Sequence, residues 1–256
     1  MTDFVDADLR QARFENVEMN GAQLRRVDLS DAQFQAVDLS RAVMRGVDLI
    51  DVDISGAVEN LVINGVDVTP FIEAELDRRQ PDRVRMRPTD PDGFREAWHL
   101  LDRLWEGTIE RARRYTPAQL NESVDGEWSF IETLRHLTFA TDSWIRRAIL
   151  GDPAPWDALG LPFSELPDGP AFSRDRDARP SLDTVLELRR DRTATVRGYI
   201  AQLTDETLES HTTPVEGPGW PPSESYPVRK CLLIVLNEEW QHRLYAERDL
   251  DVLDDR

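Results

Sequence analysis

The sequence predicts two unlike parts: a short module of stacked repeats, then an all-α four-helix bundle. Three observations lead there. A strict five-residue period runs from Phe4 to Ile54. Four amphipathic stretches follow residue 90. Two long loops rich in Gly, Pro and Trp, 151–180 and 204–227, separate the later stretches. The expected boundaries are 1–58 for the repeats, 59–90 for a connector with a short helix, and 91–256 for the bundle.

Bulk properties narrow the function. The chain has 256 residues and a net charge of −18. A nucleic-acid binder needs a basic footprint, so that class is not expected. An acidic imitator of nucleic acid stays open. Lys230 is the only lysine, and basic charge is otherwise arginine, as in GC-rich bacterial genomes. Cys231 is the single cysteine, so no intrachain disulfide forms and a reducing cytoplasm fits. The opening "MTDFVDADLR" is acidic and has no apolar core, so no signal peptide is expected. No apolar run approaches a membrane span.

The period comes first along the chain. A large apolar residue recurs at Phe4, Leu9, Phe14, Met19, Leu24, Leu29, Phe34, Leu39, Met44, Leu49 and Ile54. Two places earlier, from Leu9 onward, stands Ala or Val, often followed by Asp, as in "VDLSDAQFQAVDLS". Five matches neither the helical period nor the strand period. A fixed period means units that bury their apolar faces on their neighbours. These units resemble the pentapeptide-repeat family. The resemblance implies a right-handed, four-sided β-helix with the large and small residues inward. Eleven units then make just under three coils. Some family members are acidic rods that bind type II topoisomerases. Strand layers rise about 4.8 Å, so three coils make a stub of about 14 Å. That is short for a duplex mimic, and docking or scaffolding is favoured over mimicry.

In the connector, "NG" between "LVI" and "VDV" marks a hairpin turn. "PFIEAELDRR" reads as a helix with Pro70 in its first turn, and 80–93 as loop. The first bundle helix runs from about 91 to 114, with Phe94, Trp98, Leu101, Trp105 and Ile109 on one face. The second opens at the capping box Ser129–Glu132 and ends at Gly151. The third starts after Pro180, and the fourth runs from about 228 to 253.

Metal sites in bundles use inward side chains of facing helices. Glu238 and His242 are four apart on the fourth helix and share a face. His136, on the second helix, would add a third ligand. Two His and one carboxylate leave room for water or substrate, as in catalytic divalent sites. The same E-x-x-x-H spacing also describes an exposed pair on an acidic helix. His99 lies off its helix's apolar stripe and His211 lies in a loop, so neither is expected to contribute.

Two stretches, "VDGEWSFIETLRHLTFATDSW" and "VLNEEWQHRLYAERDL", resemble the DinB/YfiT-like superfamily over roughly 90–254. The family's second helix opens with W-S and carries His before Leu, here Trp128, Ser129, His136 and Leu137. Its last helix carries N-H-x-x-x-H-R, here Asn237, Glu238, His242 and Arg243. Glu238 stands where the family has the first His. The resemblance implies a metal at His136, Glu238 and His242: zinc, nickel, manganese or iron. Glu shifts preference toward harder cations. The superfamily includes divalent-metal proteins and thiol-dependent S-transferases, among them bacillithiol and mycothiol transferases and mycothiol-dependent maleylpyruvate isomerase. A low-molecular-weight thiol is therefore a candidate cofactor, and S-transfer, isomerisation and hydrolysis are the candidate reactions.

The neighbours carry two readings each. Glu132 could orient His136 from behind, although the capping box already accounts for it. Arg192 interrupts the stripe Val185, Leu188, Val196, Tyr199, Leu203 at a core position. It could hold an anionic substrate group, or snorkel at the bundle edge. Tyr245 could line the pocket or fill core. Trp128, Trp144, Trp156 and Trp220 are expected in the core or the loop walls. Cys231 is expected to be a buried structural thiol. The expected partner is a small-molecule substrate, with no nucleic acid and no membrane, and a homodimer is left open. The alternative to an enzyme is a scaffold that docks through the repeat module.

Overall fold

The computed structural model describes residues 3–163, 166 and 175–254. The chain divides into two compact units, Met1–Gly56 and Ala57–Arg256, so the connector belongs with the helical part.

In the first unit the period appears as turns. Every fifth residue, from Asp6 through Gln11, Asn16 and Gly21 to Gly56, has positive φ. Main-chain bonds close a turn every ten residues, as in Ala12 N to Leu9 O (3.0 Å) and Ala22 N to Met19 O (2.9 Å). The recurrent Asp has a local role. Asp28 Oδ1 accepts from Ser30 N at 2.9 Å, and Asp38 Oδ1 accepts from Ser40 N at 2.8 Å. These are side-chain-closed turns.

The expected β-helix is not shown. The eleven large apolar residues are 44–63% exposed, and no strand occurs among the described residues before Val62. The turns depend on neighbours in sequence, whereas burial of the large residues depends on layers above and below. Just under three coils provide few such layers.

The second unit begins with a hairpin, β1 (Val62–Ile63) against β2 (Val66–Asp67), around Asn64-Gly65 as expected. Helix α1 (Thr69–Arg79) follows, with Pro70 in its first turn. The expected loop after it is instead a 3-10 turn, Pro81–Met86. Arg83 and Arg87 tie this turn back to Glu73 and Asp77 of α1. Met86 is buried in the main core.

Four long helices then pack in a ring. Helix α2 (Pro91–Ala112) is capped by Asp90, whose Oδ1 accepts from Gly93 N at 2.9 Å. A four-residue helix α3 (Pro117–Leu120) leads to α4 (Phe130–Thr141), which opens at the Ser129–Glu132 capping box. Nearly every α4 residue is buried, because it packs on both α5 (Leu182–Ala201) and α7 (Val228–Asp254). Helix α2 contacts the same two helices. Between α5 and α7 lies the short α6 (Asp205–Glu209).

The stretch expected to be one α-helix up to Gly151 changes pitch. Asp142–Ile149 is π-helical, and Leu150 N bonds Ile145 O at 2.9 Å. The wider turn accompanies a fully buried Asp142. Its carboxylate accepts from Arg192 Nε at 2.9 Å and Nη2 at 3.2 Å, and from Asp157 N at 3.3 Å. π-Turns are tolerated where such bonds offset the lost helical geometry.

Two buried arginines hold the long loops. Arg135 donates to the carbonyls of Leu159 (2.8 Å), Ala178 (3.0 Å) and Asp175. Arg147 donates to Pro153 (2.9 Å), Val215 (2.9 Å), Gly217 (2.8 Å) and Pro221 (3.3 Å), one residue set in each long loop. Its guanidinium lies 5.4 Å from the Trp156 ring, and Trp156 closes on Gly219. Any Cβ at Gly219 would stand 2.2 Å from Trp156, so the contact requires glycine.

Arg147→Lys keeps the charge but cannot span four carbonyls. We expect a loss of about 2–3 kcal/mol in urea unfolding, since buried acceptors are left unpaired. Faster proteolytic cleavage within 204–227 would accompany it. Wild-type stability in this variant would remove Arg147 as the loop anchor.

Candidate metal centre

His136 reaches the centre from α4, and its place follows from the cap. Ser129 fixes where the helix begins, and His136 then falls two turns on, facing α7. Ser129 Oγ accepts from Glu132 N at 3.3 Å, and Glu132 Oε2 accepts from Ser129 N at 2.9 Å. Glu132 is thus engaged in the cap. The ring of His136 takes its orientation elsewhere: Nδ1 lies 3.0 Å from the Leu161 carbonyl. That carbonyl is pinned in turn, because Leu161 N donates to Arg135 O at 3.2 Å and Arg135 Nε holds Leu159 O. An Nδ1–H bonded to a carbonyl leaves the Nε2 lone pair directed away from it.

Nε2 of His136 points at Glu238, 3.3 Å from Oε2. On α7, one turn beyond, His242 Nδ1 is also 3.3 Å from Glu238 Oε2, and 3.0 Å from the Glu238 carbonyl. One ligand atom from each of the three residues falls within 4.8 Å of the others. Two donors bound to one tetrahedral ion at 2.0–2.1 Å stand about 3.4 Å apart. The His136 Nε2–Glu238 Oε2 separation matches that spacing, while His242 Nδ1 also lies against the Glu238 carbonyl. The expected E-x-x-x-H pair is therefore joined by His136, and is not a solvated pair on an acidic helix.

Electrostatics support this donor set. Burial, with help from neighbouring His136, pushes the His242 imidazole from 6.5 down to about 4. It is neutral near pH 7, as a ligand must be. Burial pushes Glu238 upward, but the His136 hydrogen bond and the electrostatic influence of the two histidines outweigh it, and the carboxyl settles below its usual range. The set then offers one carboxylate and two imidazoles.

Trp128 covers the centre. Its ring centroid lies 4.5 Å from that of His136 and stacks on His242 at 6.0 Å. Sequence reasoning placed Trp128 only in the core or loop walls. Its position immediately before the N-cap was the available signal, since that residue folds back over the first helical turns. The Leu161 carbonyl had no signal, being a backbone group on a distant loop.

Tyr245 sits edge-on to His242 at 5.8 Å and is 40% exposed, beside the centre and outside the core. Arg192 is inward, as the interrupted stripe suggests, but its guanidinium is given to Asp142 and Asp191. Its buried charge is accounted for without a ligand. His99 and His211 are exposed. Cys231 is fully buried, and burial pushes its thiol up to about 11.

Two family models match the chain. One, described as DinB superfamily, matches residues 100–246 and includes all three clustered residues. The other, pentapeptide repeats in eight copies, matches residues 2–31 and 28–58. No curated protein and no solved structure matches. The chain belongs to the DinB superfamily and carries pentapeptide repeats at its N-terminal end.

Proposed function

We propose that this protein is a divalent-metal-dependent enzyme of the DinB/YfiT type, acting on a small molecule by S-transfer, isomerisation or hydrolysis. The observation that carries it is the convergence of His136, Glu238 and His242 from two helices, with donors within 4.8 Å. We read the ring of four helices as the family's four-helix bundle. Zinc, nickel, manganese and iron all suit two imidazoles and a carboxylate, and Glu238 moves the preference toward the harder ions.

Such an ion supplies Lewis-acid activation of a water or a thiol. The chain's residues do the rest. The Leu161 carbonyl keeps the His136 ring turned toward Glu238. Trp128 lies over the two imidazoles. Glu238 carries the single negative charge of the set. Any thiol comes from a low-molecular-weight cofactor, because Cys231 is buried and protonated at neutral pH.

Purified protein should carry about one equivalent of divalent metal by elemental analysis. Saturating metal should raise the melting temperature by about 5 °C or more, by mass action on the folded state. His242→Ala and Glu238→Gln should each lower metal affinity at least about tenfold, measured by competition with a chelating dye. Unchanged metal content in both variants would defeat the ligand assignment.

Replacing Glu238 by His restores the family pattern. Glu238→His should still bind one ion, with selectivity shifted from manganese toward zinc and nickel. A variant that loses all binding would mean the pocket is shaped for a carboxylate alone.

Native protein should leave Cys231 unreacted with a disulfide reagent at pH 8, and react once per chain in denaturant. Rapid native labelling would reopen Cys231 as a nucleophile.

A further inference from the structure

The face of α7 ahead of the metal centre forms an open groove of about 440 Å³, lined by Pro227, Arg229, Lys230, Leu233, Ile234, Asn237 and Glu238. Lys230, Ile234 and Glu238 are successive turns of one face. Glu238, a member of the metal cluster, closes one end. The middle is apolar, with half-buried Leu233 and Ile234. The other end is basic. Arg229 is already engaged, by Thr89 O at 2.6 Å and by Glu209. Lys230 is exposed and makes no ion pair among the described residues.

The chain carries −18, and Lys230 is its only lysine. Yet Glu238 is the only carboxylate among the described residues lining the groove. An anion at this end meets the Lys230 ammonium. Eight residues of helix separate Lys230 from Glu238, about 12 Å at 1.5 Å per residue.

We propose that this face of α7 binds an elongated apolar small molecule with its anionic group at Lys230 and its reacting end at the metal centre. The proposal rests on the metal reading of His136, Glu238 and His242, and adds the substrate class.

Two probes test it on the full-length, zinc-loaded protein. Octanohydroxamic acid offers a metal-binding head and an apolar tail. Suberic acid monohydroxamate has the same head and chain length and adds a terminal carboxylate, which reaches about as far as Lys230. Isothermal titration should show the carboxylate-bearing probe binding about three- to fivefold tighter, the range of an exposed ion pair. Lys230→Gln should abolish that advantage and leave octanohydroxamate unchanged. High salt should abolish it too. The proposal is overturned if the two probes bind alike to wild type, or if the advantage survives Lys230→Gln. If neither probe binds zinc-loaded protein better than metal-free protein, the metal reading itself fails. An equal pair that both require zinc overturns only the groove.

Discussion

Two guanidinium groups buried on or just beyond α4, those of Arg135 and Arg147, hold this domain's irregular half in place. A buried charge is costly unless hydrogen bonds replace its hydration. Both arginines find that replacement in the backbone carbonyls of the long loops. The loops need the same bonds, since carbonyls without secondary structure must find donors elsewhere. The dependence is mutual. It also passes directly to the centre, because the clamp at Arg135 fixes Leu159 and Leu161, and the Leu161 carbonyl orients His136. A loop that looks like a connection is part of the ligand support.

The helical interior is correspondingly rich in charge. Asp142 with Arg192, and Glu239 with Arg189, are buried pairs that cross to α5 from the stretch after α4 and from α7 respectively. Apolar replacements of such pairs often cost little stability, so their value lies in fixing how neighbouring helices turn relative to one another. Glu239 directly follows Glu238. A helix held by Glu239 toward α5 presents Glu238 and His242 toward α4. The clustering of these three side chains therefore depends on the rotation of α7, and a pairing one residue away bears on it.

The site's residues were legible because each sits in a local pattern. The capping box dated the start of α4, and with it the face His136 occupies. The i,i+4 spacing put Glu238 beside His242. The interruption of an apolar stripe marked Arg192 as inward. Its partner, Asp142, was not legible, because it lies in a π-helical turn that no propensity in "DSWIRRAI" announces. Arg135 and Arg147 were equally silent: their acceptors are carbonyls, which carry no residue identity.

Sequence by itself determined the four long helices, the Ser129–Glu132 cap, the hairpin, the five-residue turn rhythm and the three candidate ligands, since all of these arise from interactions over a few residues or from periodic burial. Tertiary structure decided what required distant chain segments to meet. It brought one donor atom from each of the three residues within 4.8 Å of the others, placed Trp128 over the imidazoles and gave Arg192 to Asp142. In the repeat unit it left the large apolar residues uncovered, although their turns formed. Turn geometry is a local property of five residues, whereas burial is a property of layers, and a sequence period specifies the first more strongly than the second.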